Sequence, residues 1–343
     1  MSEENKKNMP PPAAAAAPAA APGKVKASQM WISSDGDGVG DNCCDDADEN
    51  TNTNTTTTTN NNAAAASYLK AVASLETSLE YRQRNIKQLQ LKPGQHVLDV
   101  GCGTGDDIIE LIAPFIFSSG VEVGDGGRVV GVDLKYDLLQ IAKDKVQKGA
   151  AEASSNNNNI EFFQCNILED GLPFENETFD SVRSARVFQH LSNPEKALRE
   201  CIRVLKPNGR IVISEPDWDT LVVDASTKEI FDIWDRMKKI SIEHGLINGR
   251  MGIQLYRLFG GDDDSGLLQE RQIYGDTIVI TDFELVKKLG DLDRMIEQSL
   301  HRKVVTQDEV DKFLQDMEQK HRQGTYVTAI TIFTVSGVKK VKT

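Results

Sequence analysis

The sequence predicts an α/β fold: a mostly parallel sheet with helices on both faces. From about residue 67 onward, short apolar runs alternate with segments of helical periodicity. Gly, Pro and Asn turn signals fall between them. In Val97-Leu98-Asp99-Val100-Gly101-Cys102-Gly103-Thr104-Gly105 a buried strand runs into a tight glycine turn, and a helix follows.

Taken in order, Tyr68 to Gln90 reads as a helix with an apolar face of Leu69, Val72, Leu75, Leu79 and Ile86. A turn at Lys92-Pro93-Gly94-Gln95 leads into a first strand, His96 to Val100. A helix follows from Asp106 to about Phe117, then a Gly-rich loop, Ser118 to Gly127. Further strands are expected at Arg128 to Asp133, Ile160 to Cys165, Phe179 to Arg183 and Arg210 to Glu215. Helices Tyr136 to Lys148 and Pro194 to Leu205 lie between them. The pattern then changes: Thr227 to His244 is helical, Leu267 to Ile280 strand-like, and Thr281 to Arg322 reads as two or three helices before a last strand, Thr328 to Val335. A helical insertion between the last two strands, about 281–322, is therefore expected to cover the carboxyl edge of the sheet, where open α/β sheets bind ligands.

Residues 1–66 form a low-complexity tail, Ala/Pro-rich, then acidic, then Thr/Asn-rich, and are expected to be disordered for want of apolar surface. Within it, Ser34 to Cys43 resembles an Asp-rich calcium loop, but Val39 stands where a carboxylate or amide ligand is wanted and only one copy occurs. The Asn156 to Asn159 run is expected to be a surface insertion. Residues 67–343 are expected to be one folded domain.

The 343 residues carry a net charge of -13, which argues against a broad nucleic-acid-binding surface. Five cysteines with irregular spacing suggest neither a disulfide framework nor a zinc site, and no metal is expected. No apolar run approaches the ~18 residues needed to span a membrane. The expected setting is the cytoplasm, as a monomer or homodimer.

The glycine turn separates two ligand classes. A nicotinamide fingerprint, Gly-x-Gly-x-x-Gly, wants glycine at position 106, but Asp106 and Asp107 stand there. Two carboxylates at a helix N-terminus repel a pyrophosphate but tolerate a cationic ligand. Asp99 is placed to face a ligand ammonium, and Asp133, ending the second strand, to accept both hydroxyls of a ribose. The alternative for Asp133 is a helix cap. Asn166 is positioned for an adenine amino group, or is a plain turn residue, with Ile167 on the ring.

These motifs resemble the class I S-adenosylmethionine-dependent methyltransferases, in particular the ubiquinone/menaquinone-biosynthesis-like small-molecule branch. The resemblance also rests on Leu172-Pro173-Phe174, Phe179-Asp180-Ser181-Val182, Arg186-Val187-Phe188-Gln189-His190-Leu191, Ala197 to Arg210, Ser214-Glu215-Pro216-Asp217-Trp218 and Gly324 to Ala329. It implies a Rossmann-like, seven-stranded sheet with S-adenosylmethionine at its carboxyl edge. The cofactor-binding residues are then Asp99, Gly101, Cys102, Gly103, Gly105, Asp133, Leu134, Asn166, Ile167 and Ser184.

The implied activity is methyl transfer to an O, N, S or C centre of a small molecule by in-line displacement. His190 and Asp217 are candidate bases, each with a packing or turn-forming alternative. Arg183, Arg186, Trp218, Arg250 and Tyr326 are candidate substrate contacts; the alternatives are a carboxylate partner such as Glu215 for Arg183 or Arg186, and core packing for Trp218 and Tyr326. No Asn-Pro-Pro-Tyr-like motif follows the fourth strand and no Pro-Cys pair occurs, which disfavours adenine, glutamine-amide and cytosine-C5 methylation. The competing readings are a protein or RNA methyltransferase, a nicotinamide-dependent oxidoreductase and a non-catalytic cofactor-binding regulator.

Overall fold

A computed structural model describes residues 76–117, 126–152, 159–243, 248–260, 266–289 and 292–341. The tail 1–66, its calcium-like loop, the helix positions Leu69, Val72 and Leu75, and most of the loop insertions at 118–127 and 156–159 lie outside the described residues.

Seven strands form one sheet: β1 (His96–Val100), β2 (Arg128–Asp133), β3 (Ile160–Gln164), β4 (Phe179–Ala185), β5 (Leu205–Val223), β6 (Leu268–Ile280) and β7 (Thr328–Lys339). Their order is β3-β2-β1-β4-β5-β7-β6, and β7 runs antiparallel to both of its neighbours. The order reverses between β1 and β4, so the carboxyl ends of these strands form the switch point where ligands enter such sheets. The central strands β1 and β2 are Val-rich and buried on both faces, as strands covered by helices require.

Helices α1 (Glu76–Gln88), α2 (Ala113–Ile116) and α3 (Tyr136–Glu152) precede β3, and α4 (Pro194–Val204) precedes β5. A π-helical turn, Ile108–Ile112, leads into α2. One core cluster joins β1, β2, β4 and β5 to α4 and α6 (Met251–Leu258), among them Leu98, Val182, Cys201, Ile211 and Leu255. A second, with Val97, Ile108, Val129, Leu139 and Phe162, packs the π-turn and α3 on the sheet.

The expected cover is larger than residues 281–322. Three helices, α7 (Phe283–Leu289), α8 (Leu292–His301) and α9 (Gln307–Arg322), do lie between β6 and β7. They share a core with α5 (Lys228–Glu243), from between β5 and β6: Trp234 stacks on Phe313 at 5.7 Å, and Ile233, Met237, Phe283 and Met317 fill the rest. A capping box at Thr306 and Glu309 starts α9, as Ser/Thr-x-x-Glu does by satisfying two orphan amides.

The expected apolar face of α1 is corrected. Leu79 is 37% exposed, whereas Ser78, Arg82 and Asn85 are buried alongside Tyr81, Ile86 and Leu89. A buried polar helix face needs polar partners: Arg82 finds Asp107 and Glu110, and Asn85 finds Arg183 and Ser214, while the Ser78 hydroxyl has none among the described residues.

Candidate functional site at the carboxyl edge of β1, β2 and β4

The glycine turn hangs on the end of β2. The amides of Gly101 and Cys102 both donate to the carbonyl of Val132, at 2.7 and 3.0 Å. Gly101, Gly103 and Gly105 have φ of 76°, 55° and 73°, a region that costs an L side chain roughly 1–2 kcal/mol. Neighbours crowd the turn as well: a Cβ on Gly101 would lie 2.1 Å from Val187 Cγ2, and one on Gly105 3.0 Å from Ala142 Cβ.

Asp133 closes this cradle. Its Oδ2 accepts the Gly103 amide and its Oδ1 the Lys135 amide, both at 2.9 Å. The ligand and capping readings therefore meet in one carboxylate, which still has lone pairs to offer. Burial raises its pKa, against the pull of these amides. Leu134 and Tyr136, 54% and 55% exposed, project beside it. Cys102 lies within the turn, its thiol held well above the ordinary thiol range by burial and by Asp99 and Asp133.

Asp106 and Asp107 do not act as the sequence argument supposed. Asp106 pairs with Lys145 and accepts the Thr104 hydroxyl. Asp107 pairs with Arg82 at 2.5 Å and with Arg183. Burial works to raise the Asp107 carboxyl, but Arg183 and Arg82 together hold it below the ordinary range. Internal partners neutralise both charges, so the pair does not discriminate between ligands.

Asp99 and Arg183 are likewise turned to each other. They sit side by side on β1 and β4, Arg183 Nη1 donates to Asp99 Oδ1 at 2.9 Å, and they are 1% and 2% exposed. Burial pushes Asp99 up to about 6, with Arg183 opposing. Arg183 Nε donates to Asn85 Oδ1 at 3.2 Å, and Asn85 donates to Ser214, whose hydroxyl meets Thr334 at 2.7 Å. Arg183 is thus the hub of a buried network joining α1, β1, β4, β5 and β7, not a substrate contact.

The other predicted site residues are engaged within the fold. Ser184 is fully buried and donates to the Val100 carbonyl at 2.9 Å, stitching β4 to β1. Ile167 belongs to the main core. Tyr326 is 2% exposed against Phe283 in the helical cover, its hydroxyl bonded to Thr328. Asp217 Oδ1 accepts the Asp219 amide at 3.1 Å and Oδ2 the Ile253 amide at 3.2 Å, which ties the start of α6 to the end of β5. Arg250 forms an exposed ion pair with Asp219 at 3.1 Å. Asn166 Oδ1 accepts the Leu168 amide at 3.1 Å, an Asx turn at the carboxyl end of β3.

His190 ends a 3-10 turn, Phe188–His190, that follows β4. Burial, with Lys135 and Arg186 nearby, lowers its pKa to about 4, so its imidazole is neutral at physiological pH. Trp218 Nε1 donates to Gln189 Oε1 at 2.8 Å, placing Trp218 against the same turn. Arg186 enters it at φ 60°, its amide donating to the Ser214 carbonyl at 2.8 Å.

The least expected residue is Glu215. It is fully buried, and the amides of Val187 and Phe188 each donate to its Oε1 at 2.7 Å, with the Gln189 amide 3.4 Å from Oε2. Burial raises its pKa to about 7 despite these donors. A carboxyl whose folded pKa is raised stabilises the fold at low pH, and that contribution is lost as pH rises through the folded value. Glu215→Gln, which keeps an acceptor but never ionises, is therefore expected to gain thermal stability relative to the unsubstituted protein between pH 5 and pH 8. Parallel melting curves check this; a constant difference across that range contradicts the raised pKa.

Comparison with known proteins identifies the family. A family model described as a methyltransferase domain matches residues 91–272. An uncharacterised 37.1 kDa protein of transposon TN4556 from Streptomyces fradiae is 32% identical over 192 residues, 56% of this chain and 50% of that protein. The demethylmenaquinone methyltransferase of Lactococcus lactis is 32% identical over 163 residues, 48% of this chain and 58% of the enzyme. The chain thus spans about half the length of the curated relatives it matches. Among solved structures, phosphoethanolamine N-methyltransferase 2 of Haemonchus contortus, in complex with S-adenosyl-L-methionine, superposes with a TM-score of 0.50 at 18% identity, over 84% of this chain and 59% of that one. That likeness concerns the fold. A strand, a glycine turn closed by Asp133 and a matching family model over more than half of the sequence lead to one conclusion: the chain belongs to the methyltransferase-domain family.

Proposed function

We propose that this protein transfers a methyl group from S-adenosylmethionine to a small-molecule acceptor by in-line displacement. The observation that carries the reading is the cradle at the carboxyl edge of β1 and β2: three glycines at positive φ, closed by an Asp133 carboxylate that is already aligned by two amides. The residues present fit that cofactor. The turn presents backbone instead of side chains, Asp133 would hold the ribose hydroxyls, Leu134 would pack on the adenine side, and Asn166 would meet its edge. When bound, the cofactor supplies a methyl group on a sulfonium, already activated for displacement.

The protein's own contribution is alignment and exclusion of water. The helical cover formed by α5 and α7–α9 would do the latter. His190, neutral and with a pKa near 4, is a weak base. It therefore suits an acceptor whose proton is itself acidic, or one that needs no proton removed. We read residues 67–343 as one such domain, working as a monomer or homodimer. The buried thiols of Cys165 and Cys201 suit a reducing compartment such as the cytoplasm. Among the described residues no helix is long and apolar enough to cross a membrane.

Incubation with methyl-labelled S-adenosylmethionine and fractionated metabolite extracts tests the proposal. Label is expected in small molecules; label in protein or RNA alone would overturn the acceptor class. Once an acceptor that must lose a proton is found, His190→Ala is expected to keep cofactor affinity and to lower transfer by about 10²–10⁴-fold. A parallel loss of cofactor binding would remove His190 from the acceptor side.

A further inference from the structure

The methyltransferase reading leaves a buried carboxylate unused. Glu215 lies where β5 passes the carboxyl edge, in a position where an apolar side chain would fill the core at lower cost. Its neighbours explain its presence. After β4 the chain leaves the sheet at Arg186, and the next amides have no ladder partner. Glu215 collects three of them in succession, those of Val187, Phe188 and Gln189.

The turn held in this way faces two ways. Val187 presses on Gly101, so closely that no side chain fits between them. Three residues further on, the turn ends in His190. Gln189 extends the connection: its side chain accepts from Trp218 and its carbonyl accepts the Asn248 amide at 2.7 Å. Glu215 thus stands behind a single rigid turn that has the cofactor loop on one side and the candidate base on the other.

We propose that Glu215 is a positioning residue that sets the spacing between the cofactor loop and the acceptor side of the site, by fixing the turn from Val187 to His190. The proposal rests on the reading that the glycine turn holds the cofactor and His190 faces the acceptor. Glu215 touches neither ligand, and it acts through backbone amides alone. An acceptor oxygen at the place of Oε1, which takes the two 2.7 Å bonds, is therefore sufficient, and a negative charge is not required.

Histidine ring-proton NMR titration of the full chain tests this, with the His190 signal assigned from His190→Gln. In the unsubstituted protein the His190 midpoint is expected near 4. In Glu215→Ala the released turn admits water, and the midpoint is expected to move upward by about one pH unit or more. In Glu215→Gln, whose carbonyl replaces Oε1, it is expected to stay in place. If the alanine variant does not fold, Glu215→Asp takes its part: a carboxylate one methylene shorter no longer reaches the amides, and the same upward movement is expected.

An unmoved midpoint in folded Glu215→Ala or Glu215→Asp, or a movement in Glu215→Gln as large as theirs, overturns the positioning role. Calorimetry of the unsubstituted protein with S-adenosylhomocysteine separates the two levels. Absence of binding overturns the cofactor reading, and with it this proposal. Binding together with an unmoved midpoint overturns the positioning role alone.

Discussion

Arg183→Gln is expected to cost the fold roughly 3–5 kcal/mol and to lower the melting midpoint by on the order of 10 °C, with loss of cofactor binding at temperatures where the protein remains folded. Arg183 compensates two carboxylates at once, Asp99 and Asp107, and it is 2% exposed. Glutamine leaves Asp99 without a cation and Asp107 with Arg82 alone. Asp99 already stands at about 6 with Arg183 in place, and without it burial raises the carboxyl further with no cation to oppose it. Asp107 keeps Arg82 at 2.5 Å but loses its second partner. Lysine is a poor substitute, because the guanidinium serves Asp99, Asp107 and Asn85 from three separate nitrogens in one plane. A double variant, Arg183→Gln with Asp99→Asn, is expected to recover part of the loss, since one orphan charge disappears with its partner. Differential scanning calorimetry reads both variants. A single-variant midpoint within about 2 °C of the unsubstituted protein would mean that the network carries little of the stability.

This hub shows where sequence reasoning stops. Strands β1 to β5 and most helices were legible, because apolar runs and turn residues are local signals: β2 was expected at Arg128 to Asp133 and is found there. The glycine turn was legible for the same reason, since three glycines and two acidic residues at strand ends are local signals. Ion pairs leave no local mark. Arg82 reaches Asp107 across 25 positions, and Arg183 reaches Asp99 across 84. Without those partners Asp106 and Asp107 looked like charges aimed at a ligand, Arg183 like a substrate contact or the partner of a carboxylate such as Glu215, and α1 like an amphipathic helix with Leu79 on its apolar face. Glu215 was harder still, because its partners are backbone amides, which any sequence supplies. Its one signal was an acidic residue directly after the apolar run Ile211-Val212-Ile213-Ser214, where an exposed strand end and a buried carboxylate look alike. Asp217 gave the same signal two residues later and proved to hold the start of α6.

Asp133→Ala is expected to weaken S-adenosylmethionine binding by on the order of 100-fold or more, with a much smaller effect on melting temperature than Arg183→Gln. The carboxylate does two things in the free protein: it holds the Gly103 amide, which sets the shape of the turn, and the Lys135 amide, which starts α3. Alanine releases both, yet the turn keeps its two anchors on the Val132 carbonyl, so the fold persists while the cradle loosens. In the complex, the same oxygens would also accept the ribose hydroxyls. Charge-assisted hydrogen bonds of this kind contribute about 1.5–3 kcal/mol each, and losing two of them accounts for the expected change. Asp133→Asn separates the parts: one amide oxygen still accepts Gly103 or Lys135, while the NH₂ group faces the remaining donor, so binding is expected to fall between that of the alanine variant and the unsubstituted protein. Isothermal calorimetry measures all three. An unchanged affinity in Asp133→Ala would move the cofactor away from the end of β2, and the reading of the glycine turn as its cradle would fall with it.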